Sequence, residues 1–311
     1  MEIIRYDYEK VNKEKGTAIA IGNFDGLHRG HMEIMKKLKE VSKEYSLNSL
    51  CYTFEKHPVN IIKGDNALKL IADNRQKEEL FSACFIDTLF FEDFDAVRDV
   101  QPEDFVKNIL VDKLNMKVAV VGLHNHYGKN SKGDIKLLSE LGQKYGFLVY
   151  MVKPFYIDDV MCSSTKVREY IINGEIEKAN EMLGRCFEFS GRVIKNKQLG
   201  KTLGFPTANI MPKENMLMPQ MGVYATSCFV DGKEYKSITN VGDCPTVSDE
   251  KVSFETHIID FNDDIYGKEI TLAFHLKMRG IVNFENKEAL INQLKNDVIK
   301  RKEIKTEREN K

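Results

Sequence analysis

Ile19-Ala20-Ile21-Gly22-Asn23-Phe24-Asp25-Gly26-Leu27-His28-Arg29-Gly30-His31 decides how this chain is read. An apolar run feeds a glycine turn, and the helical periodicity of 32–41 follows. The two imidazoles of H-x-G-H fall one turn apart at a helix start, where N–H groups and the helix dipole favour anions. They supply further donors for a triphosphate and for charge that builds up during transfer at phosphorus. Gly26 and Gly30 admit close backbone approach to a ligand. Gly22, Asn23, Phe24, Asp25, Gly26 and Gly30 are therefore candidate nucleotide contacts, and His28 and His31 candidate catalytic residues. Asn23 and Asp25 either order the turn or hold a metal through water.

The string resembles the signature of the nucleotidyltransferase superfamily, whose members transfer AMP or CMP from a nucleoside triphosphate. Around it, strand-like runs at Thr17–Ile21, 49–54, 86–91, 117–122 and 147–152 alternate with helical patterns. Repeated β-α units predict a doubly wound parallel sheet with its ligand at the carboxyl ends of the strands. Pro102 opens a helix carrying Phe105, Ile109, Leu110 and Leu114. Ser163-Ser164-Thr165-x-x-Arg168 is a second anion signal. Its hydroxyls either cap a helix or hold phosphate there, and Arg168, one turn in, is suited to bidentate chelation.

Past residue 183 the pattern changes to short alternating segments separated by Gly, Asn, Asp and Pro, at Phe187–Ile194, Gly222–Val230, 234–241, 253–259 and 269–276. These predict a small antiparallel β-barrel, closed by an amphipathic helix over 286–300 through Leu290, Leu294 and Val298. The expected domains are 1–183 and 184–311. Within the second, Gly200-Lys201-Thr202-Leu203-Gly204-Phe205-Pro206-Thr207-Ala208-Asn209 is a glycine-flanked loop entering an extended segment. Thr207 and Asn209 lie on the same side of that segment and offer hard oxygens suited to Mg²⁺. Glu255 is expected at an inward or rim position of its strand, where a carboxylate needs a reason.

Basic residues number 46 and acidic residues 47, so no global charge steers the chain toward nucleic acid or an anionic membrane. The basic tail over 300–311 reads as a solvated helix end. None of the six cysteines forms C-x-x-C, which points to reduced thiols and a cytoplasmic setting. The N-terminus shows no signal-peptide pattern, and no run has the length of a membrane span.

The ordered motifs Gly22–His31, Thr53-Phe54-x-x-His57-Pro58, Ser163-Ser164-Thr165-x-x-Arg168 and Gly200–Asn209 resemble the bacterial bifunctional riboflavin kinase/FMN adenylyltransferase family. So do Gly222-Val223-Tyr224, Asn240-Val241-Gly242-x-x-Pro245-Thr246 and Glu255-Thr256-His257-Ile258-Ile259-Asp260-Phe261. The resemblance implies riboflavin, FMN and FAD as substrates and products, ATP as co-substrate, and Mg²⁺. It places His57, Pro58, His124, His126, Tyr127 and Arg279 at flavin. It gives Ser163, Ser164, Thr165, Gly200, Lys201, Gly204 and Pro206 to nucleotide, Thr207 and Asn209 to metal, and Glu255 the role of base toward the ribityl 5′-hydroxyl. One loop departs: where the family pattern is G-x-D-F-R-F-G-x-x-R-x-G, Gly122–Gly133 reads G-L-H-N-H-Y-G-K-N-S-K-G. That departure leaves open a riboflavin kinase whose front domain is impaired or repurposed as a flavin-responsive regulator.

Overall fold

The structure of the protein, a computed structural model, describes residues 1–195, 200, 203–243 and 252–305. By its internal contacts the chain divides into two compact units, Met1–Ser164 and Thr165–Lys311.

In the first unit, β1 (Glu2–Arg5), β2 (Thr17–Ile21), β3 (Asn48–Phe54), β4 (Thr88–Glu92), β5 (Met116–Gly122) and β6 (Leu148–Val152) form one sheet in the order β1-β4-β3-β2-β5-β6. Every neighbouring pair is parallel. All five residues of β2 are buried, as a strand covered on both faces requires. Alternation sends Ile19 and Ile21 into one core with Phe105, Leu110 and Leu138, and Ala18 and Ala20 into the other with Leu38 and Phe81. Helix α1 (Arg29–Glu44) lays Ile34, Met35, Leu38 and Val41 against the second of these. The chain leaves β2 toward β3 on one side and returns to β5 on the other. The crevice of such a sheet opens at that switch point, and Gly22–His31 lies there.

Two features differ from the sequence reading. β1 is an edge strand of four residues with only Ile4 buried, too short and too polar to stand out. The segment after Pro102 winds as a π-helix over Phe105–Lys113, closed by Leu114 N–H donating to Ile109 O at 3.1 Å.

Helices α7 (Ser164–Ile172) and α8 (Ile176–Leu183) precede the barrel. The expected division at 183 separates α8 from the barrel, whereas its packing is with the strands that follow. Asn180 on α8 donates to Phe274 O at 2.8 Å and accepts Phe187 N–H at 2.6 Å.

Strands β9 (Phe187–Ile194), β10 (Ala208–Ile210), β11 (Gly222–Val230), β12 (Lys233–Asp243), β13 (Val252–Ile258) and β14 (Glu269–Arg279) close a barrel in the order β10-β13-β12-β11-β14-β9. Phe187, Phe189, Tyr224, Phe254 and Phe274 fill it, Phe189 edge-on to Phe254 and Tyr224 edge-on to Phe274, with the other ring pairs tilted. Thr226, Ser237, Thr239 and Thr256 satisfy one another's hydroxyls inside.

The terminal helix Lys287–Glu303 packs Val298 on Val223, Ile238 and Ile259. Its basic end corrects the expectation of a solvated tail at Arg301, which is fully buried. The Arg301 guanidinium donates to Thr226 O at 2.9 Å, Ser237 O at 3.2 Å and Ile304 O at 3.2 Å. Five planar donors suit it to bind several main-chain carbonyls at once. Among the described residues no helix is long and apolar enough to cross a membrane.

Candidate active sites

In the first unit the glycine turn is held from beneath. The Asp25 carboxylate is buried and accepts Ile71 N–H at 3.2 Å and Ala72 N–H at 3.3 Å. These bonds order the turn. The Asn23 carbonyl accepts from Thr53 Oγ1 at 3.2 Å and from the buried Lys77 Nζ at 2.9 Å. Ser164 Oγ donates to the Asp25 carbonyl at 2.8 Å, which ties the start of the Ser-Ser-Thr string to the H-x-G-H string. Phe24 and Leu27 sit at φ 47° and 37°, conformations that these contacts hold in place. A Cβ on Gly26, at φ 75°, would stand 2.8 Å from Ile71 Cγ2, and one on Gly22 would stand 2.9 Å from the Phe24 ring.

His28 caps α1, its Nδ1 accepting His31 N–H at 3.4 Å. The two rings stack with centroids 3.6 Å apart and planes 18° from parallel. Phe24 meets His31 edge-on at 5.2 Å and Phe81 at 5.7 Å. The Arg29 and Gly30 N–H groups donate to the Cys162 thiol, which burial pushes above its ordinary pKa. The first three amides of α1 are thus turned to Cys162 and His28.

His57 caps α2 (Pro58–Lys63) by accepting Val59 N–H at 3.3 Å, with Pro58 at the first helical position. In the loop after β5, His124 and His126 are exposed. Asn125 donates to Ile21 O at 2.7 Å, joining this loop to the end of β2. Tyr127, in the same loop, is buried. It is a core ring 5.9 Å from Phe105, its N–H and C=O paired with Gly133, where a Cβ would stand 2.5 Å from the ring. Ser163 is half-buried, Thr165 is exposed, and Arg168 lies one turn along α7 in the second unit.

In the barrel, Asn209 pairs directly with Glu255, and Glu255 in turn with Asn240 on β12. Phe254 and Thr256 point inward, so Glu255 stands half-buried on the outer face, which corrects the inward-or-rim expectation. Removal from water raises its carboxyl above the ordinary glutamate value. Gly200 abuts Thr207, since a Cβ there would stand 3.3 Å from Thr207 Oγ1 and 2.3 Å from Phe205 O. His257 Nδ1 donates to Pro206 O at 2.9 Å and its ring meets Phe205, fixing the loop that enters β10. Gly204 turns that loop at φ 83°. Lys201 lies outside the described residues. Thr207 and Asn209 offer hard oxygens of the kind Mg²⁺ takes, with Asn209 in register beside Glu255. Arg279 grips the buried Asp297 of the terminal helix through Nε at 3.1 Å and Nη2 at 2.8 Å.

Residues 10–166 match the FAD synthetase family and residues 183–305 the riboflavin kinase family. The chain is 33% identical over 299 residues to the bifunctional riboflavin kinase/FMN adenylyltransferase of Pseudomonas fluorescens, covering 96% of each chain. It is 32% identical over 293 residues to that of Escherichia coli K12, covering 94% of this chain and 93% of the other. The chain belongs to the bifunctional riboflavin kinase/FMN adenylyltransferase family.

In fold, this family member is similar to the crystal structure described as a macrolide-efflux protein from Streptococcus pneumoniae. The TM-score is 0.90 over 98% of this chain and 100% of that one, at 24% identity. Two residues of this riboflavin kinase/FMN adenylyltransferase drew no role from its sequence. Asn240 flanks Glu255 only through strand register, and Lys77 reaches the turn from 54 residues away. Lys77 lies in no quoted string, and the string that begins at Asn240 does not encode its cross-strand partner.

Proposed function

We propose that the 184–311 domain phosphorylates the ribityl 5′-hydroxyl of riboflavin from ATP, and that the 1–183 domain transfers AMP from ATP to the FMN so formed. What supports this reading is the position of two motifs. The H-x-G-H turn occupies the switch point of the parallel sheet, and the Pro-Thr-Ala-Asn strand lies in register with Glu255.

In the kinase step Glu255 accepts the hydroxyl proton as the ribityl oxygen bonds to the γ-phosphorus and ADP leaves. Thr207 and Asn209 would hold Mg²⁺, which supplies charge neutralisation at the nucleotide phosphates when bound. In the adenylyl step the FMN phosphate is already a nucleophile at neutral pH, so no covalent enzyme intermediate or general base is needed. Its oxygen bonds to the α-phosphorus and pyrophosphate departs. His28 and His31 donate to the phosphate oxygens as charge moves onto pyrophosphate. His57, Pro58, His124 and His126 are the side chains we assign to the flavin rim. The five described cysteines are free thiols, in keeping with a cytoplasmic enzyme.

Incubation with riboflavin, ATP and Mg²⁺, with flavins resolved by chromatography over time, tests both steps. FMN is expected first and FAD after it. FMN without FAD would overturn the adenylyl half, and no FMN would overturn the kinase half. Asn209→Leu is expected to lower FMN formation at least tenfold, by order of magnitude, and to raise the Mg²⁺ concentration needed for half-maximal rate. FAD formation from supplied FMN at fixed Mg²⁺ stays unchanged.

A further inference from the structure

We propose that Lys77 is a positioning residue for adenylyl transfer, its buried ammonium locking the peptide plane between Asn23 and Phe24 in the phosphate-binding turn. The inference rests on the adenylyltransferase reading above. Lys77 lies on α3 (Asn74–Ser82), a helix outside every motif in the chain, and is only 7% exposed. Its Nζ donates to the Asn23 carbonyl at 2.9 Å and lies 3.4 Å from Thr53 Oγ1. In a trans peptide the C=O and the following N–H point in opposite directions. Fixing the Asn23 carbonyl against Lys77 therefore aims the Phe24 N–H away from α3. The next lock is built the same way, with Ser164 Oγ on the Asp25 carbonyl.

Packing alone does not account for a lysine here. A methionine fills similar space without desolvating a charge, whereas burial pulls the Lys77 pKa below the ordinary lysine value, opposed by the Asp25 carboxylate. The same helix places Phe81 against Phe24. Thus α3 holds the turn by a donor at Asn23 and a ring at Phe24, the residue at positive φ between two fixed carbonyls. Loss of the donor frees that peptide plane, and with it the alignment of His28 and His31, four and seven residues beyond Phe24.

The test is Lys77→Met in the full chain, with FMN formation by the barrel as an internal control of a folded, active protein. FAD formation from supplied FMN is expected to fall about 10²-fold in kcat, the scale of a small misplacement. KM for FMN stays within about twofold, FMN formation from riboflavin is unchanged, and the melting transition of the N-terminal half is retained. The inference is overturned by FAD formation at the wild-type rate, or by a loss that appears only together with loss of that transition. If Lys77→Met does not fold, Thr53→Val decides, because it removes the other donor to the same carbonyl. A several-fold fall in kcat at unchanged KM supports the lock, and an unchanged kcat overturns it. Absence of FAD formation in the wild-type chain would instead refute the adenylyltransferase reading.

Discussion

Glu255→Gln lowers FMN formation by about 10³-fold, the usual weight of a general base, while FAD formation from supplied FMN continues at the wild-type rate. The substitution keeps the shape of the side chain and its place opposite Asn209 and Asn240, and removes only its capacity to take a proton. The raised pKa of Glu255 gives the effect a pH signature. The base acts as the carboxylate, so wild-type FMN formation falls as pH drops, with a midpoint above the ordinary glutamate value of about 4.3. The residual activity of Glu255→Gln loses that limb. Stability moves the other way. A carboxyl whose folded pKa is raised is costlier to fold when ionised, so the glutamine variant melts no lower than wild type at neutral pH. Matched FMN formation by the variant and wild type, or a flat wild-type profile down to the ordinary glutamate range, would remove Glu255 from the mechanism.

His31→Ala gives the mirror image: FAD formation falls about 10²- to 10³-fold, the scale of losing one donor to a transition-state oxygen, and FMN formation persists. The stacked pair explains why the effect is large. His28 spends Nδ1 as the cap of α1 and is buried, whereas His31 is half-buried and braced edge-on by Phe24. Removing His31 takes away a donor without removing the cap, so the helix start and the Asp25 contacts to Ile71 and Ala72 survive. The measurement is kcat for FAD from FMN and ATP beside kcat for FMN from riboflavin in the same preparation. Equal loss of both would contradict independent sites.

Much of this was legible in the linear chain because the relevant physics is local. A β-branched run, a glycine turn and a periodic helix specify strand-turn-helix from neighbouring residues, and H-x-G-H sets two imidazoles one turn apart whatever surrounds them. The same holds for the change to short alternating strands near residue 187 and for the Pro-Thr-Ala-Asn segment. Residues whose surroundings come from distant strands or helices were not legible in this way. Tyr127 has the sequence context of a ligand loop, and the π-helical Phe105 makes it a core ring. Arg279 ends a strand near the expected flavin rim, and a carboxylate 18 residues on, presented by the terminal helix, takes its guanidinium.

By itself, then, the sequence determined the two-part α/β and β-barrel plan, the strings we assign to phosphate, and the family to which they point. Turn geometry, helix capping and period-two alternation act over a few residues and need no partner. Only the tertiary structure decided that Asp25 orders its turn, that Glu255 faces outward between Asn209 and Asn240, that Arg301 is buried under the barrel wall, and that Lys77 reaches the phosphate turn. Each of these depends on hydrogen bonds or strand register between segments 15 to 75 residues apart, or on which face of a closed barrel is filled with aromatic rings. Such partners are set by packing, and no local spacing encodes them.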